Sequence, residues 1–408
     1  MKAIVVGGGV VGLNIALALQ NKNISVILLE AEPVRKAASY GNAGHIAIEQ
    51  VEPLASVAMV KSAFKRWFAL GGALSFPAAG FREWLPFSFR LLKASAPAQF
   101  AKGKTALSAL IAEAMPAWKR RVADIGATDL LREDGHFVIW ETPESAAKGL
   151  ADWKSTDTGT ARFHEATDDE MAQLTSITKA PIAGAIRFEN TGQVSDTARL
   201  LKTLEAVFIE RGGVIYYKSV AALNVEGGQA FVKLKGGEIL TADRVVISAG
   251  VASKTLLEPL GHRVPIIAER GYHIQTAQHG WPQSLPPVVF EDRSMIVTGF
   301  ESGLRAASFV ELNRPDAPAD ARKWQRLRGH VKALGLPFEG EGAEWIGSRP
   351  TLPDYLPAIG KSDKADNLYY AFGHQHLGLT LGPVTGEIVA DMVTTGHAPK
   401  AFDLKRFA

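Results

Sequence analysis

The chain opens with MKAIVVGGGVVGLNIALALQNKNISVILLE at residues 1–30, and this segment carries the strongest fold signal. Residues 3–6 and 25–29 are short, apolar, β-branched runs typical of buried strands. Residues 10–20 between them mix small and large apolar side chains, as a buried helix does. The turn at residues 7–12 reads G-G-G-V-V-G. A strand–turn–helix–strand unit of this kind predicts a dinucleotide-binding domain.

The glycines of this turn have different tasks. Gly7 permits the tight turn, Gly9 lets the backbone approach a pyrophosphate, and Gly12 lets helix and strand pack closely. The phosphates would then lie at the helix N-terminus, where free N–H groups favour an anion. Glu30, eighteen residues beyond Gly12, can accept hydrogen bonds from both ribose hydroxyls and disfavours NADP. A glycine-rich turn in an ordinary α/β domain is the alternative.

Composition sets broad limits. The 408 residues predict two to three domains at about 150 residues each. Apolar residues make up 47% and charged residues 21%, which are ordinary values for a soluble globular protein. A net charge of +3 argues against a dedicated nucleic-acid partner. The absence of cysteine excludes disulfides, thiolate metal sites and a flavin tethered through cysteine.

The sequence also predicts a location. No apolar stretch is long enough to predict a transmembrane helix. The apolar N-terminus runs into the glycine turn rather than into a signal-peptide cleavage site. We therefore expect a cytoplasmic protein, with possible contact at the inner face of the cell membrane.

Motifs further along the chain favour FAD over NAD. Residues 39–44, SYGNAG, form a turn where a ring system could approach the backbone. Residues 243–250, DRVVISAG, predict a buried strand that ends in a glycine. Near the C-terminus the chain reads GSRPTLPDYLP at 347–357 and GHQHLGLTLG at 373–382, followed by an apolar helix.

With these motifs the chain resembles the FAD-dependent D-amino-acid oxidase/dehydrogenase superfamily, which includes glycine oxidase, sarcosine oxidase and D-amino-acid dehydrogenase. The matching motifs span most of the chain. The turn at 42–44 and the Arg270-Gly271-Tyr272 triplet are most similar to the bacterial D-amino-acid dehydrogenase branch. The resemblance implies a discontinuous Rossmann-like FAD-binding domain with a mostly antiparallel β-sheet substrate domain. The FAD-binding domain would comprise residues 1–86, 191–262 and 346–408, and the substrate domain residues 87–190 and 263–345.

The resemblance also implies how the flavin is held. Its ring system would lie against the backbone after Asn42, and the last helix, starting near Gly382, would direct its positive end at the reduced flavin. Because Gly41 stands where some relatives carry a linking histidine, we expect non-covalent FAD. The predicted cofactor contacts are Gly7, Gly9, Val11, Gly12, Glu30, Ala31, Ser39, Asn42, Ala43, Gly44, Val220, Gly250, Arg349, Gly378, Leu379 and Thr380.

Four residues are predicted to serve the chemistry. Arg305 matches the family position of the arginine that binds the substrate carboxylate, and Tyr272 would donate a second hydrogen bond to it. His45 and His374 could face the substrate amine or the flavin. The alternatives are a surface arginine, a core tyrosine and structural histidines. We expect no metal site, because no H-x-x-x-H motif or carboxylate cluster with metal spacing occurs.

The implied activity is FAD-dependent oxidation of a D-amino acid or small cyclic imino acid, such as D-proline or its hydroxylated form. Hydride transfer from Cα to flavin N5 would give an imine, and the electrons would pass to a quinone or other carrier. Two alternatives remain. One is an oxidase that reduces O₂ to hydrogen peroxide, and the other is a flavin-bearing subunit of a heteromeric electron-transfer complex.

Residues 53–112, hereafter the basic aromatic segment, depart from the average composition. They contain eight Lys or Arg and one acid, a net charge of +7 that leaves −4 for the rest of the chain. They also contain nine Phe or Trp residues. Basic and aromatic residues at helical spacing predict contact with anionic lipid headgroups. The alternative is a set of amphipathic helices with core aromatics and solvated cations.

Overall fold

The computed structural model describes residues 1–34, 37–63 and 66–408. Its helices are α1 (Val10–Gln20), α2 (Val57–Ser62), α3 (Phe81–Ala94), α4 (Pro97–Ala112), α5 (Ala114–Asp124), α6 (Pro143–Ser155), α7 (Asp168–Ile177), α8 (Thr197–Glu210), α9 (Ser253–Leu257), α10 (Ala321–Leu334) and α11 (Gly378–Thr395). Its strands are β1 (Lys2–Val6), β2 (Ser25–Glu30), β3 (His45–Ile46), β4 (Leu74–Ser75), β5 (Leu131–Arg132), β6 (His136–Trp140), β7 (Phe163–Glu165), β8 (Gly184–Phe188), β9 (Gly192–Val194), β10 (Val214–Tyr217), β11 (Val220–Glu226), β12 (Gln229–Leu234), β13 (Ile239–Leu240), β14 (Arg244–Ile247), β15 (Ile267–Thr276), β16 (Val288–Phe290), β17 (Met295–Phe300), β18 (Gly303–Asn313), β19 (Ala343–Thr351), β20 (Ala358–Lys361) and β21 (Leu368–Phe372).

The N-terminal unit forms the centre of a six-stranded sheet in the order β10-β2-β1-β14-β21-β20. Neighbouring strands are parallel except β20 and β21. Parallel strands need crossover connections that cover both faces, which explains their continuous apolar runs. Helices α1 and α11 pack together on one face, and the small sheet β11-β12-β13 covers the other. The predicted Rossmann-like unit is confirmed.

A second, larger sheet has the order β19-β15-β18-β17-β16-β6-β8-β7, with β4 beside β18. Its neighbours are antiparallel except the pairs β16/β6 and β18/β4. Helix α10 covers one face and closes a separate apolar core with Trp324 and Leu327. The mixed fold class is confirmed.

The predicted domain division can be compared with the sheets. All strands of the six-stranded sheet come from residues 1–86, 191–262 and 346–408. Strand β4, however, belongs to the larger sheet, and residues 87–190 contribute α4–α7 as well as strands. A fourth sheet, β3-β9-β5, joins segments from both parts. The boundaries themselves stay a prediction.

Within the described ranges, no helix combines the length and apolar character that crossing a membrane requires.

Candidate active site

A cleft of about 840 Å³ lies between the two main sheets. One wall follows the carboxyl ends of β1, β2, β14 and β21, where open α/β sheets bind their ligands. The other wall comes from β15, β18 and β19 of the larger sheet. Most predicted site residues line it: Gly7, Gly9, Val11, Glu30, Ala31, Ser39, Asn42, Ala43, His45, Val220, Gly250, Tyr272, Arg349, His374, Gly378 and Leu379.

The glycine turn has the geometry that a pyrophosphate requires. Gly7 has a φ of 106°, and a Cβ there would lie 2.5 Å from the Ser248 carbonyl oxygen. A Cβ on Gly12 would lie 1.8 Å from the Gly7 carbonyl oxygen, so Gly12 serves helix packing and does not line the cleft. Helix α1 begins after Gly9, which has no capping side chain, and of its first N–H groups that of Val10 donates to the Ser39 hydroxyl at 3.1 Å. Its N-terminus can therefore receive an anion. Glu30 lies at the same end, where it accepts a hydrogen bond from the Gly8 N–H at 2.7 Å.

Residues 39–44, hereafter the flavin loop, lie against an aromatic platform. The Trp345 ring covers Gly41 so closely that a Cβ at Gly41 would lie 2.1 Å from the indole. Trp345 stacks on His273 at 4.8 Å, and His273 Nδ1 lies 3.2 Å from the Gly41 carbonyl oxygen. Gly44 has a φ of 80° and packs against Phe300 outside the cleft. Small residues thus keep one face of the loop open for a flat ring system.

The guanidinium of Arg305, which is predicted to bind the substrate carboxylate, makes its hydrogen bonds within the protein. Nε donates to Gln275 Oε1 at 2.9 Å, and Nη1 donates to the carbonyl oxygens of Tyr40 (3.0 Å) and Asn42. The side chain is 2% exposed and does not line the cleft. Burial lowers the pKa of Arg305 to about 10. These contacts connect Arg305 to the flavin loop, and its role toward a substrate stays a prediction.

The hydroxyl of Tyr272 also makes its hydrogen bonds within the protein. The residue lines the cleft, but its hydroxyl donates to Glu311 Oε2 at 2.8 Å and accepts from the Asp320 N–H at 3.2 Å. Burial raises the pKa of this phenol. Glu311 also pairs with Arg270 at 2.8 Å and with the fully buried Lys323 at 2.6 Å. The hydroxyl thus belongs to a buried ionic network, and its contact with a substrate carboxylate stays a prediction.

Arg349 has the open geometry that Arg305 lacks. It lies on β19, lines the cleft, and its side chain is 26% exposed. Its hydrogen bonds both use Nη1, which donates to Glu269 Oε1 at 3.3 Å and to the Phe309 carbonyl oxygen at 3.2 Å. Within the described chain, Nε and Nη2 have no hydrogen-bond partner. These two N–H groups form the edge of a guanidinium that binds a carboxylate in bidentate fashion. Gly271 makes room for it, because a Cβ there would lie 2.4 Å from Nη2.

The histidines of the cleft are held in place by neighbours. His374 Nε2 lies 3.0 Å from Thr385 Oγ1, and burial lowers the pKa of His374 to about 3. His376 contacts Gln50 Oε1, and burial lowers its pKa to about 4. Both are therefore neutral near pH 7. His45 lines the cleft and binds Glu49. Roles for His45 and His374 in catalysis stay predictions.

The start of the last helix differs from the predicted position. Helix α11 begins at Gly378, four residues before Gly382, so its first residues line the cleft directly. Thr380 does not line the cleft, because its hydroxyl accepts the Ala47 N–H at 3.0 Å. The indole of Trp118 donates to the Leu379 carbonyl oxygen at 3.1 Å. The positive end of α11 still faces the expected flavin site. The hydrogen bond between Thr380 and Ala47 connects this end to the segment that follows the flavin loop.

The sequence analysis missed several residues of this cleft. Glu269 is 2% exposed and accepts hydrogen bonds from Thr351 and Tyr355 as well as Arg349. No sequence pattern singles it out, because strand β15 also carries Arg270, His273 and Gln275. Trp345 precedes the Arg-Pro motif by four residues, without a pattern that assigns it a role.

The structure also brings together three residues of metal-ligating type, while the expectation of no metal site stays a prediction. His45, Glu49 and His136 each offer a ligand atom, and these atoms lie within 4.8 Å of one another. His136 lies 91 residues from His45 in the chain, so sequence spacing could not reveal the group.

Comparisons with known proteins agree with this geometry. The family model of the FAD dependent oxidoreductases, DAO, matches residues 2–392. The chain is 27% identical to a D-amino-acid oxidase of Bradyrhizobium diazoefficiens over 97% of this chain and 95% of that protein. It is 25% identical to a D-amino acid dehydrogenase of Helicobacter pylori over 100% and 98%. The fold matches a glycine oxidase from Geobacillus kaustophilus with a TM-score of 0.72 at 22% identity, covering 100% and 98% of the two chains. It also matches an L-proline dehydrogenase from P. horikoshii with a TM-score of 0.72 at 16% identity, covering 100% and 97%. With its glycine turn, its flavin loop and a family match over nearly its whole length, the chain belongs to the DAO family of FAD-dependent oxidoreductases.

Proposed function

We propose that this protein oxidises the α-amine of a D-amino acid or small cyclic imino acid and passes the electrons to a quinone or similar carrier. The membership of the DAO family establishes FAD as the cofactor. The names of the relatives, a D-amino-acid oxidase and a D-amino acid dehydrogenase, support an amino-acid substrate. The observation that carries the proposal is the Nε/Nη2 edge of Arg349 in the cleft, to which no described residue is hydrogen-bonded.

Arg349, which the resemblance places among the cofactor contacts, would instead hold the substrate carboxylate. A guanidinium edge with two parallel N–H groups fixes the rotation of a carboxylate as well as its position. Glu269 holds Nη1 and so orients the free edge, which makes Glu269 a positioning residue. Three groups hold Glu269 in turn, the hydroxyls of Thr351 and Tyr355 and the Arg349 guanidinium. A rigid carboxylate anchor of this kind would present Cα to the flavin in one orientation.

The cleft walls would exclude water from the reacting centre. Trp345, Phe309, Met295 and Ile296 line the cleft on the side of the larger sheet. FAD, when bound, accepts the hydride from Cα. Apolar walls around one carboxylate anchor suit a small side chain or a saturated ring, which favours the cyclic imino acids among the candidate substrates. The absence of cysteine and the tight contact of Gly41 with Trp345 support non-covalent FAD.

An anaerobic substrate panel tests the reaction class. Purified holoenzyme is mixed with D-amino acids, L-amino acids, N-methyl amino acids, D-proline and D-hydroxyproline, and flavin absorbance is recorded. We expect bleaching by D-amino or cyclic imino acids. If no amino acid bleaches the flavin, the substrate class is wrong. Precipitation with acid, which releases non-covalent FAD into the supernatant, tests the linkage in the same preparation.

The electron acceptor is tested separately. Turnover is measured with a quinone analogue or an artificial dye and compared with peroxide formation in air. Faster turnover with the quinone or dye supports a dehydrogenase, whereas rapid peroxide formation shows an oxidase. Turnover by the isolated chain also contradicts the second alternative, in which the protein works only as a subunit of a heteromeric electron-transfer complex.

We also propose that helix α3 binds an anionic lipid surface, where a quinone would be available. The helix has two apolar faces. Phe87 packs inward on Ile267 and Leu312. The other face is uncovered and carries, with exposed fractions of 40–65%, the side chains Phe81, Leu85, Phe89 and Leu92.

Their spacing places these four side chains on one side of α3, and the exposed cations of the helix flank them at Arg82, Arg90 and Lys93. This combination is typical of helices that lie in the headgroup region of anionic membranes. Other aromatic residues of the basic aromatic segment, such as Phe68, are buried. For these residues the alternative interpretation, in which the aromatics belong to the protein core, is correct. Phe64 and Lys65, which also contributed to the prediction, lie outside the described residues.

Vesicle sedimentation tests the lipid surface. We expect the protein to sediment with vesicles containing phosphatidylglycerol and much less with pure phosphatidylcholine. Phe89→Glu should weaken binding at least about tenfold, because it puts a charge where an apolar ring would enter the membrane. Ile209→Glu is the matched control, since Ile209 is 50% exposed on α8, outside this face. Equal binding by Phe89→Glu and the control would refute the assignment.

A further inference from the structure

A buried cluster below the flavin loop has no task in the reaction described above. It consists of His45, Glu49 and His136, hereafter the His–Glu–His cluster. His45 Nε2 lies 3.0 Å from Glu49 Oε1, and the His45 and His136 rings are 4.3 Å apart. One ligand atom from each of the three residues falls within 4.8 Å of the others. His45 also lines the cleft, so the cluster reaches its wall.

The cluster contains a buried carboxylate without a fixed positive partner. Glu49 is 4% exposed, and in the part of the chain that the structure describes its ion-pair partner is His45 rather than Lys or Arg. Glu49 Oε2 and His45 Nδ1 are buried and make no hydrogen bond with any residue that the structure describes. A buried charge of this kind is costly unless a cation or several hydrogen bonds compensate it.

The side-chain amide of a neighbouring residue, Gln193, also lacks hydrogen-bond partners among the described residues. Gln193 on β9 lies directly opposite His45 on β3. Side chains of directly opposed residues lie on the same face of the sheet. Gln193 is fully buried, and neither its Nε2 nor its Oε1 has a hydrogen-bond partner in residues 1–34, 37–63 and 66–408. Unpaired buried polar atoms converging at one place are rare in native proteins and indicate an occupant such as water or an ion.

The orientation of His136 favours an ion. Its Nδ1 lies 2.8 Å from the Thr191 hydroxyl, which leaves Nε2 as the second ring nitrogen. Histidines that bind metals usually fix one ring nitrogen in this way and coordinate through the other.

We propose that the His–Glu–His cluster binds a divalent transition-metal ion of the zinc class. Two imidazoles and one carboxylate with a further open position form a common donor set for such ions. The ligand atoms need to move closer, because bond lengths of about 2.0–2.2 Å bring tetrahedral ligands to about 3.3 Å from one another.

The ion would connect the two walls of the cleft. His45 and Glu49 follow the flavin loop, whereas His136 lies on β6 of the larger sheet. One ion bound to all three would hold the flavin loop against that sheet. This role involves no redox change and no substrate, so it is independent of the proposed reaction.

Metal analysis of the holoenzyme tests the site. The protein is purified without chelators, its metal content is measured by mass spectrometry, and it is then dialysed against EDTA and titrated with Zn²⁺, Mn²⁺, Fe²⁺ or Co²⁺. We expect about one ion per chain and a rise in Tm of several degrees when the ion is returned. His136→Asn and Glu49→Gln should each lower the metal content at least about tenfold while the flavin spectrum is retained.

His164→Asn is the matched control. His164 lies between Glu170 and Glu189, at 3.0 and 3.1 Å, but its side chain is 36% exposed. This variant should keep its metal. Equal metal loss in the control, or wild-type protein without bound metal and without a change in Tm on titration, would overturn the proposal. If the cluster variants fail to fold, the wild-type titration alone decides.

Discussion

Replacement of Arg349 is the most direct test of the proposed reaction. Its Nε and Nη2 are free to donate two hydrogen bonds to a substrate carboxylate. Each bond to a charged group contributes about 1.5–3 kcal/mol. Because the side chain is 26% exposed, solvent screens part of this interaction. Two such bonds would contribute about 3–6 kcal/mol together, and we take the lower part of this range, about 3–4 kcal/mol. This free energy corresponds to a loss of roughly two to three orders of magnitude in kcat/KM.

The assay is steady-state kinetics on Arg349→Met and Arg349→Lys, with the best substrate of the panel and a dye as acceptor. Arg349→Met should keep its flavin absorbance, because the side chain would serve the substrate. Arg349→Lys should recover only part of the activity, since an ammonium cannot reproduce the bidentate edge. Near-wild-type kcat/KM in Arg349→Met would remove this residue from the substrate site. Loss of FAD would instead make Arg349 a cofactor ligand.

Three further predictions follow from the loop and the buried histidine. Arg305→Ala should lose most of its FAD during purification, measured as the flavin-to-protein absorbance ratio, because the carbonyl oxygens of the flavin loop lose their donor; full retention would contradict this. Gly41→Ala should also lose FAD, since its Cβ would lie 2.1 Å from Trp345, whereas Gly329→Ala on α10 meets no atom within 4 Å and should retain it. His374, with a folded pKa of about 3 against an ordinary 6.5, stabilises the fold fully above about pH 6.5 and loses this contribution as the pH falls towards 3. Thermal melts between pH 7 and 4 should show a shallower decline in His374→Asn, and equal declines would refute the assignment.

The local parts of the fold could be predicted from the sequence. The helix at residues 10–20 and the strands around it are specified by apolar periodicity and by glycines within a single thirty-residue unit. The apolar run at 137–140 in β6 and the spacing of Trp324, Leu327, Val331 and Leu334 on α10 are local patterns of the same kind. The His–Glu–His cluster could not be found in this way. His45 and His136 meet only because β3 and β6 approach each other in three dimensions, and no local pattern records that approach.

Arg305 and Arg349 show most clearly that a sequence motif does not contain the strand register. Both lie on strands beside β15, because Arg305 is opposite Gln275 through β18 and Arg349 is opposite Glu269 through β19. Six residues separate Gln275 from Glu269, which is about 20 Å along a strand. The two arginines therefore lie at different positions along the larger sheet. A family position identifies an arginine on a strand of the substrate sheet, but only the register decides which arginine reaches the cleft. Arg305 lies opposite one end of β15 and donates to carbonyl oxygens of the flavin loop. Arg349 lies opposite the other end of β15, and it lines the cleft. The paired variants separate these roles, because one should lose FAD and the other should lose substrate.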